Sequence, residues 1–199
     1  MEEGKAELVK FPIISIDPGF DNLASIKGYY SVDKENNIIT IHLNKNSFNV
    51  VSLGKQESLD IPELNRRIRT WIYQSFDDRE RRGGICLIEQ QYVVGKQHGG
   101  WWISLKLNIL SSILFTLFDS KFEMLTMLVP SRMVKKYLNL NKRNYGENKK
   151  AVFEWAKEIC PKVNNHHIAD CLAQMVYWLV HNYGKNNQTQ FNFNVEYNE

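Results

Sequence analysis

The sequence predicts one α/β domain. It is built on a mixed five-stranded sheet, an antiparallel three-strand meander plus parallel strands, flanked by helices on both faces. Two observations predict this. The apolar runs occur in the order strand, strand, strand, helix, strand, helix, strand, helices, and alternating strands and helices in the second half favour parallel pairing. The composition supplies the core: at 199 residues with 43% hydrophobic and 12% aromatic side chains, the chain can fill one substantial interior.

The elements follow in order. Ile13-Ile14-Ser15-Ile16 reads as a buried strand ending at Asp17. Residues 24–30 and 38–43 are two further strands joined through the polar turn Asp33-Lys34-Glu35-Asn36-Asn37. Residues 48–53 read equally as a strand or an extended link. Helical periodicity runs over 61–76, with Ile61, Leu64, Ile68, Trp71 and Ile72 on one side. Gly83-Gly84 interrupts the chain before Ile85-Cys86-Leu87-Ile88, a strand ending at Glu89.

After the loop Tyr92–Gly100, residues 101–118 form a long helix that is apolar nearly all round and so is expected to be buried centrally. Residues 124–129 are a strand stopped by Pro130. Basic helices follow over 131–138 and 147–160, Pro161 ends the second, and an amphipathic helix runs over 167–181. Residues 1–10 read as an N-terminal extension, 11–183 as the folded domain, and the Asn- and Gln-rich residues 184–199 as a loosely ordered tail.

Charge and cysteine content narrow the setting. Net charge is only +3, but the basic residues are clustered. Arg132, Lys135, Lys136, Lys142, Arg143, Lys149 and Lys150 face a single nearby acid, Glu147, and Arg66, Arg67, Arg69, Arg79, Arg81 and Arg82 form a second group. Such runs serve as solvated surface or as a phosphate-binding face. Cys86, Cys160 and Cys171 are odd in number, widely spaced and set among apolar residues, as expected of free thiols in a reducing compartment. The charged N-terminus lacks a signal-peptide core, and the apolar stretch 105–118 is short for a membrane span. The expectation is a soluble intracellular protein with no membrane partner.

Three acids stand at element ends: Asp17, Glu89 and Asp170. Each has an ordinary local explanation. Asp17-Pro18-Gly19 suits a turn, a carboxylate often caps a strand, and an acid in a first helical turn favours the positive end of the dipole. Asn164 or Asn165 would cap that last helix for similar reasons. The combination says more. His167 and Asp170, at i and i+3, share a helix face, whereas His166 is rotated about 100° away. Gln90 and Gln91 bring amides next to Glu89.

Ile16-Asp17-Pro18-Gly19, Ile88-Glu89-Gln90 and His167-x-x-Asp170 resemble the three acidic motifs of the RuvC family of Holliday junction resolvases, over residues 11–183. The Glu89-Gln90-Gln91 form and Asn148-Lys149-Lys150 are similar to the poxvirus-type and large-DNA-virus branch. The family often has an acid where His167 stands, though some members carry histidine.

The resemblance implies a ribonuclease H-like fold and a structure-selective DNA endonuclease making paired symmetric nicks in four-way junctions. Asp17, Glu89, His167 and Asp170 would be the catalytic and metal-binding set. They would hold two Mg²⁺ per site, with Mn²⁺ as a substitute. Two symmetric cuts imply a homodimer, with the exposed side of the helix beginning at Trp101 as the candidate interface. A viral member would act in the host cytoplasm on branched replication intermediates.

DNA contacts are assigned to Lys135, Lys136, Arg143, Lys149 and Lys150 for phosphates, and to Tyr92 and Trp101 for unstacked bases. Trp101 and Trp102 read equally as helix-start core residues.

Three other readings share these features. An actin-like or sugar-kinase ATPase also begins with strand–Asp-x-Gly, but it needs a second Gly-rich phosphate loop, and none is visible. Another ribonuclease H-like nuclease, acting on RNA–DNA hybrids or branched DNA, would use the same acids. A non-catalytic junction-binding protein would have no need of three intact acids.

Overall fold

The computed structural model describes residues 8–54, 60–77, 80, 83–91, 101–140, 144–187 and 192–198. Strands β1 (Phe11–Asp17), β2 (Leu23–Asp33) and β3 (Ile38–Asn44) form the antiparallel meander. The β2–β3 turn is closed by Asp33, whose side chain accepts from the amides of Glu35 and Asn36 at 3.0 Å. Strand β5 (Ile85–Glu89) lies parallel to β1, and β6 (Leu125–Val129) parallel to β5.

These five are the expected strands, but among the described residues the sheet has seven. Phe48–Val51 resolves as β4, pairing with the first half of β2 while β3 takes the second half. The other addition corrects the reading of the tail. Asn192–Asn198 is not loose but forms β7, parallel to β3 in the order β6-β5-β1-β2-β3-β7. Its alternation turns Phe193, Val195 and Tyr197 inward, with Phe193 against Trp155 and Tyr197 stacked on Phe48 at 6.0 Å.

Helices cover both faces. On one side α1 (Ile61–Ser75) and α2 (Trp101–Thr116) pack over Ile14, Ile16, Cys86 and Ile88. On the other, α3 (Ser131–Tyr137), α4 (Tyr145–Ile159) and α5 (His166–Asn187) pack over Ile13, Ile26, Ile41 and Leu87. Strands buried on both faces are why these runs are apolar without alternation. Side-chain caps start the helices: Asp60 accepts from the Glu63 amide and Asn144 from the Glu147 amide, each at 2.8 Å.

Helix α2 departs from the expectation of central burial. Leu110 and Leu114 are fully buried, yet Trp102 is 59% and Ile103 55% exposed. A π-helical turn over Leu117–Lys121 extends it, and the span Trp102–Lys121 is long and apolar enough to cross a membrane, with a third of it buried. Its inner side closes the core together with Phe118 and Phe122. Periodicity located an apolar helix but not how much of its circumference the domain covers.

Candidate active site

Alternation and register bring the first two acids together. On β1, Ile13 faces the α5 side and Ile14 and Ile16 the α1–α2 side, so Asp17 falls on the α5 side. On β5, Ile85 and Leu87 face α5, and Glu89 follows them. The parallel register pairs Ser15 with Leu87 and Ile16 with Ile88; one more step sets Asp17 beside Glu89. The chain then turns away tightly at Gly19, where a Cβ would stand 2.8 Å from the Asn22 carbonyl oxygen.

The third acid comes from α5. Asn165 caps this helix, its side chain accepting from the Ile168 amide at 2.9 Å. Ile168, Cys171 and Leu172 are buried beneath it, which leaves His167 and Asp170 facing β1 and β5. His167 Nδ1–H donates to Asp17 Oδ2 at 2.7 Å. His166 turns away onto the Phe153 ring, with centroids 4.7 Å apart.

The result is an open cleft of about 460 Å³ that holds all four residues, together with Ser131, Lys135, Tyr145 and Lys149. Lys135 Nζ lies 3.9 Å from Asp170 Oδ1, and Lys149 Nζ sits 5.0 Å above the Tyr145 ring.

The electrostatics record the crowding of acids. Burial, then the neighbouring Asp17, pushes the Glu89 carboxyl up to about 8, against the opposing pull of Ser131 and Lys135. Asp170 is raised to about 6, chiefly by burial and also by Glu89, while Lys135, Lys149 and His167 resist the rise. His167 is raised by its bond to Asp17, partly offset by burial. Perturbed acids gathered in a cleft make it the candidate functional site of the fold.

The donor chemistry fits a divalent cation. Three hard carboxylate donors share one cleft, and their mutual repulsion is eased by His167, Ser131, Lys135 and Lys149. Among the described residues no three His, Cys, Asp or Glu side chains are grouped tightly enough to hold an ion as they stand. Asp17 is turned to His167 and Asp170 toward Lys135 instead.

The sequence matches no protein-family model and no curated protein. The structure does have relatives. It superposes on Thermus thermophilus RuvC with a TM-score of 0.59 over 90% of this chain and 98% of that one, at 17% identity. The fold is that of RuvC. T. thermophilus RuvC in complex with Holliday junction substrate superposes with a TM-score of 0.53 at 15% identity over the same shares. The yeast mitochondrial Holliday junction resolvase Ydc2 superposes with a TM-score of 0.47 at 18% identity, over 88% of this chain and 83% of that one. The expected ribonuclease H-like sheet, with helices on both faces, is the one observed.

On this RuvC fold the four predicted acid and histidine positions converge, but the predicted basic set divides. Lys135 and Lys149 line the cleft. Lys136 is exposed outside it, and Lys150 pairs with Glu154 at 3.7 Å on the outer face of α4. Tyr92, Arg143 and the Trp101 side chain lie outside the described residues, as do Arg79, Arg81 and Arg82. Gln91 reaches Glu89, with Nε2 donating to Oε2 at 3.5 Å.

Sequence reasoning missed Ser131 and Tyr145. A signal for Ser131 was present: Pro130-Ser131 ends β6 beside the end of β5, where the Gln90 amide donates to the Val129 carbonyl at 2.9 Å. Tyr145, 70% exposed, had none beyond its place at a helix start.

Proposed function

We propose that this chain is a divalent-metal-dependent endonuclease that nicks four-way DNA junctions. The observation that carries this reading is the convergence of Asp17, Glu89 and Asp170 in one cleft of a RuvC fold. Asp17, Glu89 and Asp170 would hold the cations, and His167 would join them or orient water through Nε2. Bound cations would supply a water of lowered pKa and charge stabilisation for the leaving oxygen.

The chain's own residues do the rest. His167 holds Asp17 turned into the cleft, Ser131 holds Glu89, and Lys135 and Lys149 draw the phosphate backbone to the acids. T. thermophilus RuvC has been solved with Holliday junction substrate, and a branched DNA is the substrate class we assign here.

Paired symmetric nicks need two sites, so the working form is a two-fold homodimer. Its face is the outer side of α2, where Trp102 and Ile103 are exposed and Leu105, Ile109 and Ile113 line apolar grooves against α1. An Ile109→Glu variant sedimenting as a monomer would support that face.

The deciding experiment offers the purified chain, with Mg²⁺ or Mn²⁺, a synthetic four-way junction, the linear duplex and an RNA–DNA hybrid. Preferential, paired nicking of the junction is expected. Preference for the hybrid would instead make it a different ribonuclease H-like nuclease. ATP hydrolysis without cleavage would sink the nuclease reading.

A further inference from the structure

A second basic surface lies outside the acidic cleft, on α1. This helix buries Leu64, Ile68, Trp71 and Ile72, so Arg66, Arg69 and Tyr73, spaced by three and four residues, form its opposite ridge. All three are exposed. With Asn65 and Gln74 they line an open hollow of about 670 Å³, and among the described residues no acid forms part of its wall.

The charges on this ridge are not used up within the domain. Glu63 accepts from both Arg66 and Arg67 at 2.6–2.8 Å, and Arg67 turns back to donate to the Leu53 carbonyl at 2.7 Å. One carboxylate thus serves two guanidiniums, and Arg69 has no ion-pair partner among the described residues. At the far end Tyr73 packs edge-on against Phe122, and the exposed Lys121 holds its Nζ 5.1 Å from the Tyr73 ring centroid.

A solvated helix face ordinarily alternates charges of both signs. This one sets Arg66, Arg69 and Lys121 around an aromatic ring with no acid between them, the pattern that suits a nucleic-acid backbone. From Arg66 to Tyr73 the helix rises about 10 Å, which spans about three phosphates of one duplex strand at roughly 3.4 Å of axis each. The unpaired Arg69 fork can take one of them in bidentate fashion.

The ridge stands apart from the acids. Phe20 lines both the acidic cleft and an apolar groove between α1 and α2, Leu105 continues that groove along α2, and Asn65 joins it to the hollow. A phosphate held at Arg69 is therefore not the one presented to Asp17, Glu89 and Asp170.

We propose that Arg66, Arg69 and Lys121, ranged about Tyr73, form a second phosphate-binding surface that grips a duplex arm of branched DNA beside the cleft. This rests on the reading of the cleft as a junction nuclease site.

The test is Arg69→Ala, with Arg69→Lys as the charge-keeping control. Arg69 is exposed, so Tm should stay within about 2 °C. In chelator, the slope of log affinity for a synthetic four-way junction against log salt should fall by about 1 in the alanine variant and by about 2 when Lys121→Ala is added. The lysine variant should keep the slope. With Mg²⁺ the KM for nicking should rise while kcat holds, the signature of a contact made equally before and during the reaction.

Neutral methylphosphonate linkages placed singly along an arm should cost the unmodified chain affinity over a short run of positions, and cost Arg69→Ala less there. An unchanged salt slope in Arg69→Ala would overturn the proposal, as would methylphosphonate effects confined to the crossover. If the unmodified chain neither prefers nor cuts junctions, the nuclease reading fails. The salt slope of Arg69→Ala on linear duplex then still decides whether the ridge binds phosphates, a fall supporting it and an unchanged slope refuting it.

Discussion

Replacing Asp17 by Asn removes one negative charge from the cleft while keeping side-chain volume and one acceptor oxygen for His167. Two effects oppose each other in the metal-free protein. The His167–Asp17 bond at 2.7 Å, with Asp17 8% exposed, loses its charge assistance, a loss of about 1–1.5 kcal/mol. Against this, Glu89 is freed from a neighbour whose charge helps push its carboxyl up to about 8. The metal-free Tm should therefore change by no more than about 5 °C.

The cation response should change far more. A cation at about 100 times its Kd stabilises the native state by about 2.7 kcal/mol, or roughly 5–11 °C for a domain of this size. Asp17→Asn should abolish that rise and slow junction cleavage by about 10²–10³-fold or more, while leaving junction binding in chelator intact. Differential scanning calorimetry with and without Mg²⁺, a nicking assay and a gel shift report the three quantities. If the variant keeps both the cation-induced rise and its cleavage, Asp17 is not a metal ligand and the assignment of the cleft collapses.

Three further outcomes are expected. Glu89, Asp170 and His167 all hold protons more tightly folded than unfolded, so metal-free stability should fall as pH rises from about 5 to about 8. Mg²⁺ should then raise Tm more at about pH 8 than at about pH 6, and a metal-free Tm that climbs through this window would contradict the electrostatics. Lys149→Ala should weaken junction binding and lower the salt slope by about 1, whereas Lys150→Ala, on the outer face of α4, should change little; equal effects in a salt titration would refute the division. Deleting residues 188–199 removes β7 and bares the β3 edge. A Tm fall of roughly 5–15 °C and aggregation on warming are expected, with nicking retained at low temperature; an unchanged melting curve would mean β7 adds nothing.

Elements whose signal is local are legible along the chain: the apolar runs of β1 and β5, the Asp33 turn, the helix α1 stripe and the placement of Asp17, Glu89 and Asp170 at element ends. The sequence also separates His167 from His166, because 100° per residue is a property of any α-helix. Tertiary structure decided the rest. Asn192–Asn198 alternates polar and apolar residues as a strand does, but its hydrogen bonds come from the β3 edge, a partner that alternation alone does not name. Lys135 and Lys136 are equally basic, yet only the packing of α3 on α5 selects which enters the cleft. The outer face of α2 stays uncovered since apolar character states a preference for burial and not what is available to bury it. Spacing along the chain encodes which face a residue takes on its own element, whereas its neighbours across elements depend on contacts that form only when the layers close.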